Sequence, residues 1–292
     1  MTKLLSIVKT GLTSNQIKWI ALIFMTIDHL GAFGFEIPLF AAHMTLLRCL
    51  GRIAAPLFLY MIAESARYTR GKPRFILRLY LAGMSVGLFT AVTNYSLGST
   101  VGFFAPGNII FTFFYTVLYI YLLETILLAM KAKDSKRIIV CVLALAASWI
   151  PQLLFDWMSV FDRMNIINLA DWQLRNVVLF EDLTHSFIPS PLQVEYSLMF
   201  VFMGIVLYFA KTKKKQCTAF ICFCILCYCI GSAFQNHFPF NDFFDRRQYW
   251  MILALPFMLL YNSKRGKEQK LFFYSYYPLH RYLISVMQAI IT

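Results

Sequence analysis

The sequence predicts an all-α fold, a polytopic bundle of about nine transmembrane helices that forms a single membrane domain over residues 1–292. Of the 292 residues, 59% are hydrophobic and only 14% are charged, whereas in soluble domains about a quarter of the residues are charged. The charged residues cluster between long apolar runs, as in helical membrane proteins. The net charge of +13 belongs to these connections and not to a polar domain, so we expect no nucleic-acid partner.

Nine apolar segments are each long enough, or nearly so, to cross a hydrocarbon core of about 30 Å at about 1.5 Å per residue. The first carries Asp28 and His29 and has no small-residue cleavage site, so we expect it to be retained and not removed as a signal peptide. The nine segments run approximately over residues 17–36, 48–66, 75–96, 108–130, 137–156, 193–210, 216–234, 247–262 and 271–291.

Basic residues predict the orientation. The N-terminal arm and every second connection together hold 20 of the 27 lysine and arginine residues. The longest connection on the opposite side, 157–192, contains four acidic residues, and its middle is expected to form a short interfacial helix. Because basic loops stay in the cytoplasm, the sequence predicts a cytoplasmic N-terminus and an outside C-terminus in a bacterial cytoplasmic membrane, in contact with lipid.

Five of the seven cysteines lie in one apolar run, 217–229. No histidine or carboxylate lies within that run, and buried cysteine behaves as a small hydrophobe. We therefore expect no metal site, and we expect no framework of disulfide bonds across the exterior loops.

Ionisable residues inside the predicted spans mark the candidate site. Asp28 and His29 lie near the middle of the first span, Arg48 and Arg52 share one face of the second, and His280 lies at a comparable depth in the last. Charges at such depth pair with one another or line a cavity, and Asp28 and Arg52 are the predicted compensating pair. Pro278 precedes His280 by two residues, removes a helical hydrogen bond and predicts a bend.

These residue types support two functions. Histidine can act as a general base, a carboxylate can orient it, and arginine can stabilise a developing oxyanion, which together make an acyl-transfer site. The same residues suit a proton-coupled transporter, or a flippase of a small anionic or lipid-linked solute. The chemistry alone leaves both open.

Five segments, in order, resemble parts of the TraX family and extend from the first span to the last. These segments are Ile27–Gly31, Arg48–Phe58, Asn108–Thr112, Tyr261–Gly266 and Phe272–His280. Two positions depart from the pattern that the resemblance leads us to expect. Glu195-Tyr196-Ser197 stands where Asp-Tyr-Gly is expected, and Ser263 stands where glycine is expected.

The name-giving TraX members acetylate the N-terminus of conjugative pilin, and the family is similar to acyltransferase family 3 and the heparan N-acetyltransferases. The resemblance therefore implies a membrane acetyltransferase that uses cytoplasmic acetyl-CoA, with a pilin-like protein or a cell-surface glycan as acceptor.

His29 or His280 would act as the base, Asp28 would orient or stabilise it, and Arg52, with Arg48, would bind the acceptor or the oxyanion. The candidate residues for binding substrate and the phosphates of CoA are Asn108, Tyr277, Arg67, Arg70, Lys72, Arg74, Lys264 and Arg265.

Overall fold

The computed structural model describes residues 10–33, 37–101, 108–154, 171–233, 247–267 and 269–291. Within these ranges the regular secondary structure is helical throughout. The described residues form the α-helices α1 (Ser14–Phe33), α2 (Pro38–Gly51), α3 (Ala54–Tyr68), α4 (Lys72–Val101), α5 (Ile109–Ala132), α6 (Ser135–Ala147), α7 (Asp171–Phe187), α8 (Ser197–Phe209), α9 (Lys213–Ala233), α10 (Leu255–Leu260) and α11 (Lys270–Ile291), and a 3₁₀ helix (Gln248–Ala254) precedes α10.

The predicted all-α class is confirmed for the described residues. Four helical stretches are long and apolar enough to cross a membrane: Phe40–Tyr68, Lys72–Ser96, Ile109–Ala132 and Ser135–Leu154. Two further apolar helices, Leu198–Phe209 and Gln248–Leu260, are shorter. These helices indicate a membrane protein, whereas nine spans and the orientation of the termini stay predictions.

The helix that enters the second predicted span begins at Pro38, ten residues before the predicted start at 48. Residues 37–47 were expected to lie in an exterior connection, but they form most of α2, which starts with Pro38 in its first turn. Proline suits that position because the first N–H groups of a helix have no partner within it. The α-helical hydrogen bonding is interrupted at Arg52 and Ile53, whose N–H groups donate to the carbonyls of Cys49 and Leu50, three residues earlier, and the helical stretch continues as α3. The polar residues His43 and Thr45 hid the helix from a search for continuous apolar runs.

The helix expected in the middle of the 157–192 connection is present, and its interfacial position stays a prediction. Residues 171–187 form a helix of 17 residues, α7, which packs against α4. The amide of Asn94 donates to Asp182 at 2.7 Å, and both side chains are buried. A hydrophobic pattern could not predict this packing, because the buried face of α7 carries a carboxylate. Residues 155–170 lie outside the described part.

The chain divides into two compact units, Met1–Arg67 with Val206–Thr292, and Tyr68–Ile205. In the first unit, α3 is buried on nearly every side. Its small residues Ala54, Ala55, Ala63 and Ala66 allow neighbouring backbones to come close. The second unit has an aromatic core of Phe111, Tyr115 and Tyr119 with Val194 and Val201.

The turn 261–266 holds the start of α1. The N–H groups of Ser14 and Asn15 donate to the carbonyls of Lys264 and Arg265 at 2.8 and 3.0 Å. Thr13 and Gln16 also cap this helix end reciprocally, since Thr13 N–H donates to Oε1 of Gln16 and Gln16 N–H donates to the Thr13 hydroxyl. The first turn of α1 is therefore fixed on a segment more than 240 residues later in the sequence.

Candidate functional site

The two histidines of the predicted site meet in the first unit. Nδ1 of His29 in α1 lies 2.5 Å from Nε2 of His280 in α11, and both residues are buried. The ring planes differ by 2° and the ring centres are 4.7 Å apart. The distance between the ring centres equals the distance between the two nitrogens plus the distance from each nitrogen to the centre of its own ring. The rings therefore meet edge to edge in a common plane. This is the geometry of an N–H···N hydrogen bond.

Tyr276 fixes the proton on one of these rings. Nδ1 of His280 lies 2.8 Å from the carbonyl oxygen of Tyr276, one turn earlier in α11. A carbonyl can only accept, so Nδ1 of His280 carries a hydrogen. In the neutral imidazole the other nitrogen, Nε2, is then an acceptor. Nδ1 of His29 is therefore the donor of the bond between the histidines.

The side chain of Tyr276 joins the same two helices. Its ring is parallel to His280, with centres 5.1 Å apart, and its hydroxyl lies 2.9 Å from the hydroxyl of Thr26 in α1. Thr26 already donates to the carbonyl of Leu22, so Tyr276 is the donor. Tyr277, a predicted binding residue, is buried, and its ring centre lies 5.9 Å from that of His280.

α11 runs from Lys270 to Ile291, and the predicted bend at Pro278 within it stays a prediction.

Asp28, next to His29 in α1, forms an ion pair. Its Oδ2 lies 2.7 Å from Nη1 of Arg48 in α2. The other oxygen, Oδ1, is buried and has no hydrogen-bond partner among the described residues. The Cα of Gly51 packs directly on Asp28, and a Cβ at Gly51 would overlap its side chain. Glycine at this position lets α1 and α2 approach closely enough for the ion pair to form.

The predicted pairing of Asp28 with Arg52 needs correction. The close ion pair is made by Arg48, one turn before Arg52, because α2 ends at Gly51 where α1 crosses it. Arg52 is buried, and its charge and that of Arg247 also act on the Asp28 carboxyl. Arg247 caps the 3₁₀ helix that packs against α2. Arg247 was not predicted as a site residue, because it lies outside the depth pattern of the other charged residues.

The family model described as TraX protein matches residues 13–176 and 164–288, which is nearly the whole chain. The chain belongs to the TraX family. No curated protein and no solved structure matches it.

Three of the five TraX-like segments build this site. Ile27–Gly31 supplies Asp28 and His29, Arg48–Phe58 supplies Arg48, Gly51 and Arg52, and Phe272–His280 supplies Tyr276 and His280. The fourth segment, Tyr261–Gly266, holds the start of α1. The fifth, Asn108–Thr112, lies in the second unit. The site therefore consists of residues from both ends of the TraX chain.

Several predicted binding residues have structural contacts. Asn108 caps α5 by accepting from Phe111 N–H at 3.1 Å, and its amide donates to the carbonyl of Gly83. Lys72 forms an ion pair with Glu124 at 2.6 Å. Both lie in the second unit, so the structure does not bring them together with the histidines as one described site.

Arg67 of the first unit also has structural contacts. Its guanidinium donates to the carbonyls of Leu207, Tyr208 and Ala210 at the end of α8 and pairs with Glu64 at 2.9 Å. Basic side chains at a helix C-terminus satisfy carbonyls that have no partner in the helix. The remaining basic residues that were predicted to bind substrate or the phosphates of CoA are exposed: Arg70, Arg74, Lys264 and Arg265.

Within the described residues, no three histidine, cysteine or acidic side chains gather as a metal site would require. The site therefore contains two imidazoles in one plane, a buried carboxylate, and arginines around that carboxylate. Such a site can take up a proton at an imidazole and hold a negative group beside it.

Proposed function

We propose that this TraX protein is a membrane acetyltransferase that moves an acetyl group from acetyl-CoA to an amine or hydroxyl. The observation that carries the proposal is the His29–His280 hydrogen bond, in which the Tyr276 carbonyl sets the tautomer. A fixed imidazole with an available lone pair is the central requirement of a general base. The TraX resemblance supports acetylation and suggests a pilin-like protein or a surface glycan as acceptor.

The reaction balances without a further reagent. A histidine takes the proton from the acceptor amine or hydroxyl as that atom bonds to the thioester carbon. The C–S bond then breaks, and the protonated imidazole returns its proton to the leaving sulfur, which gives CoA and the acetylated acceptor. The guanidinium of Arg52 or Arg48 stabilises the negative charge that develops on the thioester oxygen.

Asp28 contributes through the arginines. Its carboxylate holds Arg48 at 2.7 Å and fixes the direction of that guanidinium. Each arginine–carboxylate contact of this kind restricts a long side chain to one geometry. Asp28 therefore orients Arg48, in addition to balancing its charge.

We assign the phosphates of the donor to exposed basic residues of the first unit. Lys264 and Arg265 are exposed and lie in that unit, and basic side chains bind phosphate through charge-assisted hydrogen bonds. Arg67 of the same unit donates to carbonyls and pairs with Glu64. We therefore place CoA recognition on Lys264 and Arg265.

The membrane arrangement is part of the proposal. The protein crosses the bacterial cytoplasmic membrane nine times, with its N-terminus in the cytoplasm and its C-terminus outside, as the alternation of basic loops indicates. Single cysteines at Lys213 and Thr292 in a cysteine-free background test this. A membrane-impermeant maleimide should label intact cells at 292 and not at 213; the reverse pattern would overturn the orientation.

Turnover by the purified protein tests the chemistry. The protein in nanodiscs, given acetyl-CoA and an acceptor peptide or glycan, should release CoA thiol. His29→Gln should reduce the rate by about 10²–10⁴-fold, the usual contribution of a general base. His43→Gln, the same change at an exposed histidine of α2, should retain full activity. Full activity in His29→Gln and in His280→Gln would refute the mechanism.

The His–His contact also favours a second candidate, a proton-coupled transporter or flippase, because two bonded imidazoles can pass a proton between them. In proteoliposomes with an internal pH dye, a transporter would move protons when an anionic or lipid-linked solute is added, without acetyl-CoA. An acetyltransferase would release CoA thiol with no such proton flux.

A further inference from the structure

We infer that the two histidines have unequal roles: Nε2 of His29 is the catalytic base, and His280 is a positioning residue that holds His29 in the required tautomer. The catalytic role of His29 rests on the proposed acetyltransferase function. The proton arrangement on which it depends is independent of that function.

The first step concerns His280. Its Nδ1 donates to the Tyr276 carbonyl at 2.8 Å, and its Nε2 lies 2.5 Å from His29. Both nitrogens of His280 are therefore used by protein atoms. A base must offer a nitrogen lone pair to the acceptor's proton, and His280 has neither nitrogen available for this in the neutral pair.

The second step concerns His29. Because Nε2 of neutral His280 is an acceptor, Nδ1 of His29 carries the hydrogen of their shared bond. A neutral imidazole carries only one hydrogen on nitrogen. Nε2 of His29 is therefore the atom with the lone pair, and it is the nitrogen farther from His280. The proton of the acceptor is taken there.

The bond between the two histidines also stabilises the positive charge that forms on His29. When Nε2 of His29 takes a proton, its Nδ1–H still points at the lone pair of His280, so the bond becomes a hydrogen bond from a cation to a neutral acceptor. Such bonds are about twice as strong as neutral ones. His280 thus supports the charged intermediate as a carboxylate does in a serine-protease triad.

The fourth step concerns rigidity. Tyr276 holds His280 through its own carbonyl, stacks on the ring, and reaches α1 through Thr26, two residues before Asp28. One residue therefore sets the proton on His280 and ties α11 to the helix that carries His29. A rotation of the His280 ring would break the Tyr276 bond, which restricts the pair to this arrangement.

The test compares substitutions at both histidines. His280→Gln places an amide oxygen near the position of Nε2. The variant therefore keeps a hydrogen-bond acceptor for Nδ1–H of His29 but cannot share the positive charge of a protonated His29. His280→Leu removes the acceptor. Turnover of acetyl-CoA should fall about tenfold in His280→Gln, the cost of about one net hydrogen bond, and about 10²–10⁴-fold in His29→Gln and His280→Leu. His43→Gln is the matched control.

A spectroscopic measurement separates positioning from packing. In ¹⁵N-histidine spectra of the full chain in nanodiscs, His29 should carry its hydrogen on Nδ1 in the wild type and in His280→Gln. In His280→Leu it should populate both tautomers. A purely structural His280 would lower the melting temperature without changing the tautomer of His29.

Two results would overturn the inference. One is a wild-type His29 with its hydrogen on Nε2, whatever the activity. The other is an equal loss of turnover in His29→Gln and His280→Gln. The spectra could show the expected tautomer while neither the wild type nor any variant releases CoA with any acceptor. In that case the proposed function and the base role of His29 are both refuted, and the proton arrangement is confirmed.

Discussion

Gly51 packs directly on Asp28, with no room for a side chain between α1 and α2. The contact places the Asp28 carboxylate beside Arg48, one turn before the end of α2. The neighbouring residue in α1 is His29, whose ring meets His280. One glycine therefore determines the spacing of the helices that carry the carboxylate, the arginines and one imidazole.

Gly51→Ala should lower both stability and activity. The added methyl group would overlap Cβ and Oδ1 of Asp28, and overpacking of this kind costs typically about 1–3 kcal/mol. Gly71→Ala is the matched control, because a Cβ there meets nothing within 4 Å. Melting temperature and CoA release should fall only in Gly51→Ala. Equal behaviour of the two variants would contradict the contact.

The site was partly predictable from the sequence for a physical reason. Charged groups are costly in lipid, so Asp28, His29, Arg48, Arg52 and His280 had to find partners, and their similar depth indicated one place. Their pairing was not predictable. It depends on where α2 ends and on how close α1 comes at Gly51, which are properties of the tertiary contact.

The Asp28–Arg48 ion pair should show strong coupling. Asp28→Asn leaves the Arg48 charge without its partner, and Arg48→Gln leaves a buried carboxylate, so each should cost about 3–5 kcal/mol. The double variant should recover much of the loss, because neither charge then remains. Arg137→Gln is the control, since its pair with Asp134 is exposed at 3.4 Å and should contribute about 0–1 kcal/mol. Additive losses in a denaturation cycle would argue against the pair.

Arg67, one of the residues predicted to bind the phosphates of CoA, donates to carbonyls at a helix end, and its predicted role stays a prediction. A basic residue near a cytoplasmic boundary has the same sequence signal whether it binds a ligand or caps a helix. Arg67 reaches three carbonyls of α8 that lie about 140 positions away in the chain. Only tertiary structure brings these groups together, so charge patterning could not separate Arg67 from Arg70.

Ser263→Gly should stabilise the protein. Ser263 has a φ of +61° in the turn that holds the start of α1, and an L-residue with a side chain pays roughly 1–2 kcal/mol for that conformation. Part of the gain is lost because glycine is more flexible in the unfolded chain. We expect a net increase of about 0.5–1 kcal/mol in the free energy of unfolding.

Ser85→Gly provides the opposite control. Ser85 lies in the middle of α4 and is exposed, and glycine in a helix interior costs about 0.5–1 kcal/mol. The same chemical change should thus raise the melting temperature at 263 and lower it at 85. A lower melting temperature for Ser263→Gly would show that its side chain supports the turn.

The buried Asp182 should make stability depend on pH. Burial raises the pKa of this carboxyl from 3.8 to about 6, although the hydrogen bond from Asn94 lowers it. The folded protein therefore keeps the proton between about pH 4 and 6 while the unfolded chain releases it. This stabilisation is complete below pH 4 and is lost as the pH rises through 6. The gain in melting temperature of Asp182→Asn over the wild type should grow across that window and stay level above it.

His185, one turn later in α7, should act in the opposite direction. Burial lowers its pKa from 6.5 to about 4, so the unfolded chain binds the extra proton and stability rises with pH between about 4 and 6.5. His185→Asn should remove this rise and leave the fall caused by Asp182. Parallel profiles for the wild type, Asp182→Asn and His185→Asn would contradict the assignment of these groups.

Substitution of Arg67 should change stability, whereas substitution of Lys264 and Arg265 should change binding of the donor. Arg67→Gln removes a donor to three carbonyls and leaves Glu64 without this ion pair, so unfolding should become easier by about 3 kcal/mol. Its affinity for acetyl-CoA should be unchanged. The double variant Lys264→Gln/Arg265→Gln should keep its melting temperature, since the bonds from these residues to the start of α1 are made by their backbone carbonyls, which the substitutions leave in place. It should bind acetyl-CoA more weakly in calorimetry and lose most of the salt dependence, because exposed charges are screened. An unchanged affinity in this variant, with a weaker one in Arg67→Gln, would return donor recognition to Arg67.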